Sequence, residues 1–358
     1  TRRCMGWRAG AAGIISVNPV KQVKTNGMVK KTRIKDIAAA CGVSIAAVSR
    51  ALKGQPGLSE ETRQRILSIA EAEGYDFSRL RNGRIKRLLF LMHREHNIAS
   101  ALPFYSTVML GVADACRENE IAMSFQPIGP GDSVGELINL HQPDALICAG
   151  YLEAEILAEL KKTALPVALV DLWAADFPCA NPDNYHGGFI ATRHLLEQGR
   201  KRIALLGHSQ HHYSIRQRTE GYLQALFDAG ISLAEEYRVE VPPVKEIEKP
   251  LVEGMEKLLA LPQPPDAIFA YNDMAALVAM RVCARKGIKV PDEIAIVGFD
   301  DIEAAAWAWP PLTTVAIDKR ELGRDAFRLL LSDEGDRNLL LPVRLVVRES
   351  SLRLRPQA

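Results

Sequence analysis

The sequence predicts an α/β protein in two parts: a small helix-turn-helix domain, then a body of two doubly wound, parallel-sheet lobes. Three observations point there. Residues 32–54 hold two short amphipathic helical patterns separated by Gly42. From Leu88 onward, short apolar runs alternate with helical patterns, the texture of buried parallel strands joined by crossover helices. Charge is also segregated. Residues 1–27 carry five basic side chains and no acid, and residues 28–84 carry eleven basic and six acidic ones. With +5 in each block and +2 overall, residues 85–358 hold −8. The N-terminal part therefore suits a phosphate backbone and the larger remainder does not.

Taken in order, residues 1–27 are basic and lack an apolar period. They read as a disordered extension upstream of a natural start at Met28, with a basic DNA-binding arm as the functional alternative. The next domain, 28–76, begins with Ile34, Ile37, Ala38 and Cys41 on one helical face. Gly42 supplies the positive φ a tight helix exit needs, and Ser44 is an N-cap candidate. Val48 and Leu52 form the second apolar stripe. Ser44, Ile45, Ala46, Ser49 and Arg50 then face outward, and Arg50 can bond guanine O6 and N7 as a fork. Ser59-Glu60-Glu61 opens a third helix whose Ile66, Leu67, Ile69 and Ala70 pack on the first two; Tyr75 plugs the core. Residues 77–87 form a basic linker with Arg79, Arg81, Arg84, Lys86 and Arg87.

The body, 88–358, has six apolar runs: Leu88–Met92, Ala145–Ala149, Val167–Val170, Ile203–Leu206, Ala267–Ala270 and Ile294–Val297. Helical patterns follow them, at about Tyr105–Glu118, Glu153–Lys161, Gly187–Gln198, Arg218–Ala229, Met274–Lys286 and Lys319–Leu331. In such sheets ligands bind beyond the carboxyl ends of the strands. The residues found there are His93, His96 and Phe104; Asp171 and Asp183; His208, Arg216 and Arg218; Tyr271 and Asn272; and Asp300 with Asp301. Carboxylates and amides bond hydroxyl pairs, Arg forks two oxygens and rings cover C–H faces, so the set suits a polyhydroxylated ligand. Asp183, Asp273 and Asp301 also fit a plainer role as helix caps.

The helix-turn-helix Ile34–Arg50, then Leu58–Ile66 and Gly74-Tyr75, resembles the lactose-repressor and purine-repressor (LacI/GalR) family. The body repeats the resemblance through Asn181-Pro182-Asp183-Asn184, Arg218 with Gly221-Tyr222, and Tyr271-Asn272-Asp273. Gly298-Phe299-Asp300-Asp301, Pro311-Leu312-Thr313-Thr314 and Val347-Arg348-Glu349-Ser350-Ser351 follow in family order. The resemblance implies a cytoplasmic homodimer or tetramer with a periplasmic-binding-protein-like body. It binds a palindromic operator, and its affinity changes when a small effector, a sugar or sugar derivative, enters the cleft. It places Ile45 and Ala46 on the positions that choose operator bases and Arg50 on a base contact. Arg218, Asn272 and Asp300 fall on the effector-binding triad, with Asp183 nearby and Trp309 where an apolar residue borders the pocket; Phe104 joins them from the first lobe. The family's hinge helix corresponds to Phe77–Gly83, which has no proline and carries Gly83; Leu80 is its candidate minor-groove wedge. Arg33 stands where the first helix often begins with Thr, which makes Thr32 the expected cap.

Other chemistry finds little support. The six cysteines are scattered without paired spacing, as in buried thiols of a reducing cytosol. His208, His211 and His212 lack metal-ligand spacing and read as effector-rim or surface residues. No nucleophile elbow, phosphate loop or dinucleotide fingerprint follows a strand, so neither an enzyme nor a cofactor is expected. No apolar run reaches the length that spans a membrane. A sugar-binding protein of periplasmic type without gene control is the competing reading, and the helix-turn-helix argues against it.

Overall fold

The computed structural model describes residues 33–52, 57–73, 75, 85–96, 101–163, 165–232, 234–242, 247–332 and 337–352. The expectations for residues 1–27, Thr32, Gly74 and Leu80 lie outside the described residues. The chain divides into two compact units, 1–76 and 77–358.

In the first unit, α1 (Ile34–Cys41), α2 (Ile45–Leu52) and α3 (Glu60–Ala72) share one small core. Ile37, Val48, Ile66 and Ala70 are fully buried, and Ala38, Ala51 and Tyr75 close around them. Gly42 ends α1 at φ 66°, a conformation that costs glycine little. The Val43 N–H returns to the Ala38 carbonyl at 3.1 Å. The N-cap of α1 is Arg33, not Thr32. Its backbone N–H donates to the Asp36 carboxylate at 2.8 Å, an acid placed at the positive end of the helix dipole.

The second unit contains two six-stranded sheets. The first runs β11-β5-β4-β3-β1-β2, with β1 Arg87–His93, β2 Ala122–Ile128, β3 Ala145–Ala149, β4 Val167–Val170, β5 Cys179–Pro182 and β11 Asn338–Leu341. Every pairing in it is parallel. The second runs β12-β10-β9-β8-β6-β7, with β6 Ile203–His208, β7 Arg238–Val241, β8 Ala267–Ala270, β9 Ala295–Asp300, β10 Thr313–Ala316 and β12 Arg344–Val346. Here β12 alone is antiparallel. Helices α4 (Leu102–Glu118), α5 (Val134–His141) and α6 (Ala154–Lys162) belong to the first lobe. Helices α7 (Asn184–Glu197), α8 (Tyr213–Asp228), α9 (Glu248–Leu259), α10 (Asp273–Arg285) and α11 (Glu303–Trp307) belong to the second. The chain then returns with α12 (Lys319–Leu331), which packs on α4, β4 and β5. It crosses between lobes after β5, after β10 and after β11.

The six expected apolar strands all form, and every residue of β3, β4 and β8 is buried. The edge strands β2, β7 and β11 were not expected. They are half exposed, and β2 and β7 carry no continuous apolar run to mark them, whereas β11 does hold the run Leu339–Leu341. Two helix pairs approach at backbone contact. A Cβ on Gly188 of α7 would lie 2.1 Å from the Arg218 carbonyl oxygen, and one on Gly221 of α8 would lie 2.0 Å from that of Tyr185. Gly111 and Gly323 play the same part between α4 and α12.

Gly221→Ala therefore forces α7 and α8 apart, and overpacking of this kind costs about 1–3 kcal/mol. Thermal melts of the full chain should show a clear loss of stability, whereas Gly135→Ala, whose Cβ would meet only the Ser133 hydroxyl at 3.6 Å, should lose less. Equal melting of Gly221→Ala and the wild type would show that the crossing tolerates a side chain.

Candidate functional site

On the helix-turn-helix, Ser44, Ile45, Ala46 and Arg50 are exposed and Ser49 is half-buried. The Ser44 hydroxyl oxygen accepts from the Ala47 N–H at 3.1 Å and so starts α2. Ile45 is 57% exposed although it is a large aliphatic residue. The Arg50 Nε–H lies against the Ala46 carbonyl at 3.4 Å, so its guanidinium runs along the same outward face. Leu80 lies outside the described residues.

In the body, the carboxyl ends of both sheets border one cavity of about 100 Å³. Asp171 follows β4, His208 and Asp300 end β6 and β9, and Tyr271-Asn272 follow β8. Helix α4 contributes Phe104 and Tyr105, and α8 contributes Ser214 and Arg218. Arg218 is the most constrained group. Its Nε donates to the Asn184 side-chain oxygen at 2.9 Å and its Nη1 to the Tyr271 carbonyl at 2.6 Å. Nη2 lies 3.2 Å from Asp300 Oδ1, an ion pair without hydrogen-bond geometry, because that oxygen has no hydrogen-bond partner among the described residues. The guanidinium carbon sits 3.7 Å from the centre of the Phe299 ring, a cation–π contact. Burial raises the Asp300 carboxyl, and Arg218 pulls it back.

Asp171 sits where the lobes meet. The Tyr105 hydroxyl donates to its Oδ2 at 2.8 Å, and the Ser214 hydroxyl, from the other lobe, lies 3.5 Å away. Burial pushes this carboxyl up to about 6, against the pull of Arg218. Both aspartates have positive φ, 55° at Asp171 and 104° at Asp300, a conformation uncommon outside glycine. The Lys319 ammonium donates to the backbone carbonyls of Asp300 and Asp301, which helps to hold that turn.

Imidazoles and phenols continue the wall across both lobes. His96 stacks near Tyr105, with ring centres 4.7 Å apart, and meets His212 at 5.2 Å. His208 meets His212 at 5.4 Å and Tyr271 at 5.3 Å. Burial lowers His208 to about 4, and burial with neighbouring imidazoles lowers His212 to about 3. His96 is lowered for the same reasons. His211 is exposed, so the three loop histidines part ways. Among the described residues no group of His, Cys, Asp or Glu is arranged to hold a metal ion.

Of the residues expected at the effector site, Phe104, Arg218, Asn272 and Asp300 line the cavity. Asn272 also caps α10 through its side-chain oxygen, 2.9 Å from the Ala275 N–H. Asp183 and Trp309 do not line it. Asp183 is the N-cap of α7 and accepts from the His186 N–H at 2.9 Å; Trp309 is 90% exposed. Asp273 is fully buried and accepts from Thr314 at 2.5 Å and the Ile302 N–H at 2.8 Å, while Asp301 pairs with Arg348 at 2.7 Å. Ser214 was not expected, whereas His96 and Tyr105, which follow the first strand, and His212, read as an effector-rim or surface residue, all line the cavity. Asp171 and His208 carried the usable signal, since each directly ends or follows a buried strand.

The profile of bacterial regulatory proteins of the lacI family matches residues 33–76, and that of the periplasmic binding protein-like domain matches 192–351. The HTH-type transcriptional repressor CytR of Escherichia coli (strain K12) is 30% identical over 340 residues, covering 89% of this chain and 96% of its own. The chain belongs to the lacI family. A solved complex of the transcriptional regulator CelR with cellobiose is 26% identical, with a TM-score of 0.67 over 89% of this chain and 100% of that one. A lacI-family regulator from Enterococcus faecium with bound ribose is also 26% identical, with a TM-score of 0.65 over 75% and 100%. This lacI-family member is a DNA-binding transcription regulator, not an enzyme. No helix among its described residues is long and apolar enough to cross a membrane.

The histidines make a pH prediction. His208 and His212 titrate lower folded than their ordinary value of 6.5, so between about pH 6.5 and 4 the unfolded chain binds more protons. Stability due to them is present at neutral pH and is lost as pH falls through that window. Asp171 and Asp273 are shifted up and act in the opposite sense, but a comparison of variants cancels them. Wild type should lose about 3 kcal/mol more stability than His208→Gln/His212→Gln between pH 6.5 and 5, as read by denaturant melts. Parallel pH profiles would place the two imidazoles in water.

Proposed function

We propose that this regulator is a cytoplasmic repressor that binds a palindromic operator as a homodimer or tetramer. A small sugar or sugar derivative bound between the lobes of its body controls its grip on DNA. The observation that carries the reading is the meeting of Arg218, Asn272 and Asp300, from three separated segments, in one buried, ring-lined cavity. A ligand there bonds groups at the ends of both sheets and so favours one degree of closure over another. The solved relatives that hold cellobiose and ribose support a carbohydrate as the class. Phe104 covers a ring face, while Arg218, Asn272 and Asp300 bond hydroxyl groups.

On the DNA side, the exposed face of α2 enters the major groove. Ile45 and Ala46 choose bases, Arg50 forks a guanine, and Ser44 and Ser49 bond the backbone. Leu80 wedges the minor groove from the linker. One helix-turn-helix reads half a site, so useful affinity calls for a two-fold partner. Trp307 and Trp309, 80% and 90% exposed, offer an apolar surface that a second copy would cover.

Arg50→Ala should weaken specific operator binding by about 1–3 kcal/mol while salt-dependent background binding persists. Exchanging Ile45 and Ala46 should change the operator that a binding-site selection returns; recovery of the same operator would remove them from base choice. Sedimentation of the full chain at micromolar concentration should show a dimer or larger, and Trp307→Glu with Trp309→Glu should shift it toward monomer. A wild-type monomer would refute the assembly.

A further inference from the structure

Three polar atoms in the wall of the cavity have no hydrogen-bond partner among the described residues: Oδ1 of Asp171, Oδ1 of Asp300 and Nδ1 of His208. Their residues are 8%, 6% and 8% exposed. A buried carboxylate oxygen without a donor costs free energy that a ligand hydroxyl recovers. We propose that the effector is an uncharged sugar of a single ring. It donates hydrogen bonds to Asp171 and Asp300 and shares one with Nδ1 of His208, and the phosphorylated or carboxylated form of the same sugar is refused. This narrows the effector reading above and rests on it.

Charge selects against an anion. Arg218 is the one Arg or Lys among the described residues of the wall. Asn184 and Tyr271 accept from two of its five N–H groups, and Asp300 matches its charge in the 3.2 Å ion pair. Asp171 then leaves the wall net negative, and the lowered histidines add no positive charge at neutral pH. A phosphate or carboxylate would bring negative charge, and no donor for the two unpartnered carboxylate oxygens, to a wall that is already net negative, which is selection by repulsion as well as by fit. Size selects too. An engineered cavity of about 150 Å³ accepts one benzene ring, so with about 100 Å³ here one sugar ring already calls for some opening of the lobes and a second ring calls for more. The rings of Phe104, Tyr105 and Tyr271 supply flat faces for its C–H surfaces.

The test uses the full chain and thermal melts with three sets of probes. The first is D-ribose, D-xylose, D-glucose, D-galactose, D-mannose and D-fructose. The second is the phosphates of these sugars with gluconate and glucuronate, and the third is cellobiose and maltose. At least one neutral monosaccharide should raise the melting temperature, as a ligand specific to the folded state must. Its phosphate or acid should give no shift at a hundredfold higher concentration. Calorimetry with that sugar should show affinity about tenfold weaker in Asp171→Asn and in His208→Phe. On the wild type, titrations at pH 6 in two buffers of different ionisation heat should reveal proton release as Asp171 ionises to accept the bond, a signal absent in Asp171→Asn. A charged sugar that binds wild type and is lost in Arg218→Ala would overturn the charge assignment while leaving the effector reading intact. A disaccharide that binds in preference would overturn the size assignment alone. No shift from any probe would remove both the proposal and the sugar reading, and unchanged affinity in both variants would overturn the named contacts.

Discussion

The buried guanidinium of Arg218 is the constraint around which the second lobe is arranged. It lies on the Phe299 ring, ties the start of α7 through Asn184 and the end of β8 through Tyr271, and faces Asp300 at the end of β9. Removing one partner from a buried ion pair typically costs about 3–5 kcal/mol, because the other charge is left without compensation. Its position follows from the backbone. Gly188 and Gly221 let α7 and α8 touch at the Arg218 and Tyr185 carbonyls, and that approach delivers the side chain to the strand ends. Packing deep in the lobe thus sets the geometry of the cavity wall.

The contacts between lobes at the cavity are of a different kind. They include ring edges, such as His96 against His212, and the long Ser214–Asp171 approach at 3.5 Å. None is a tight ion pair, and the chain passes between lobes three times. Such a joint can have more than one stable degree of closure, since weak polar contacts are exchanged while each core stays packed. A ligand that satisfies Asp171 on one side of the joint and Asp300 and His208 on the other then acts on closure itself. Within each lobe one helix pair is held at backbone contact, α4 with α12 and α7 with α8.

Apolar continuity explains which elements could be read directly. The runs that became β3, β4 and β8 are buried on both faces, so their sequences contain little else. The helices that follow them were placed to within a few residues, because their apolar period must match the sheet they cover. Edge strands β2 and β7 escaped because one side meets water and their composition is mixed. At the first helix, the expected Thr32 cap gave way to Arg33, whose N–H the Asp36 carboxylate satisfies.

By itself the sequence determined the helix-turn-helix, the two-lobed alternation and the candidates at strand ends, because period, glycine placement and charge are local properties of the chain. It could not separate a ligand-facing aspartate from a capping one, since both stand where a strand gives way to a helix. The tertiary structure turned Asp183 into a cap and Trp309 into a surface residue, and brought Asp171 beside Tyr105 and Ser214. It also brought His96 beside His208 and His212, from a segment more than a hundred residues away, in one wall of the cavity. That outcome depends on which side chains remain unpaired once both sheets are packed, a property of the whole fold that no local pattern encodes.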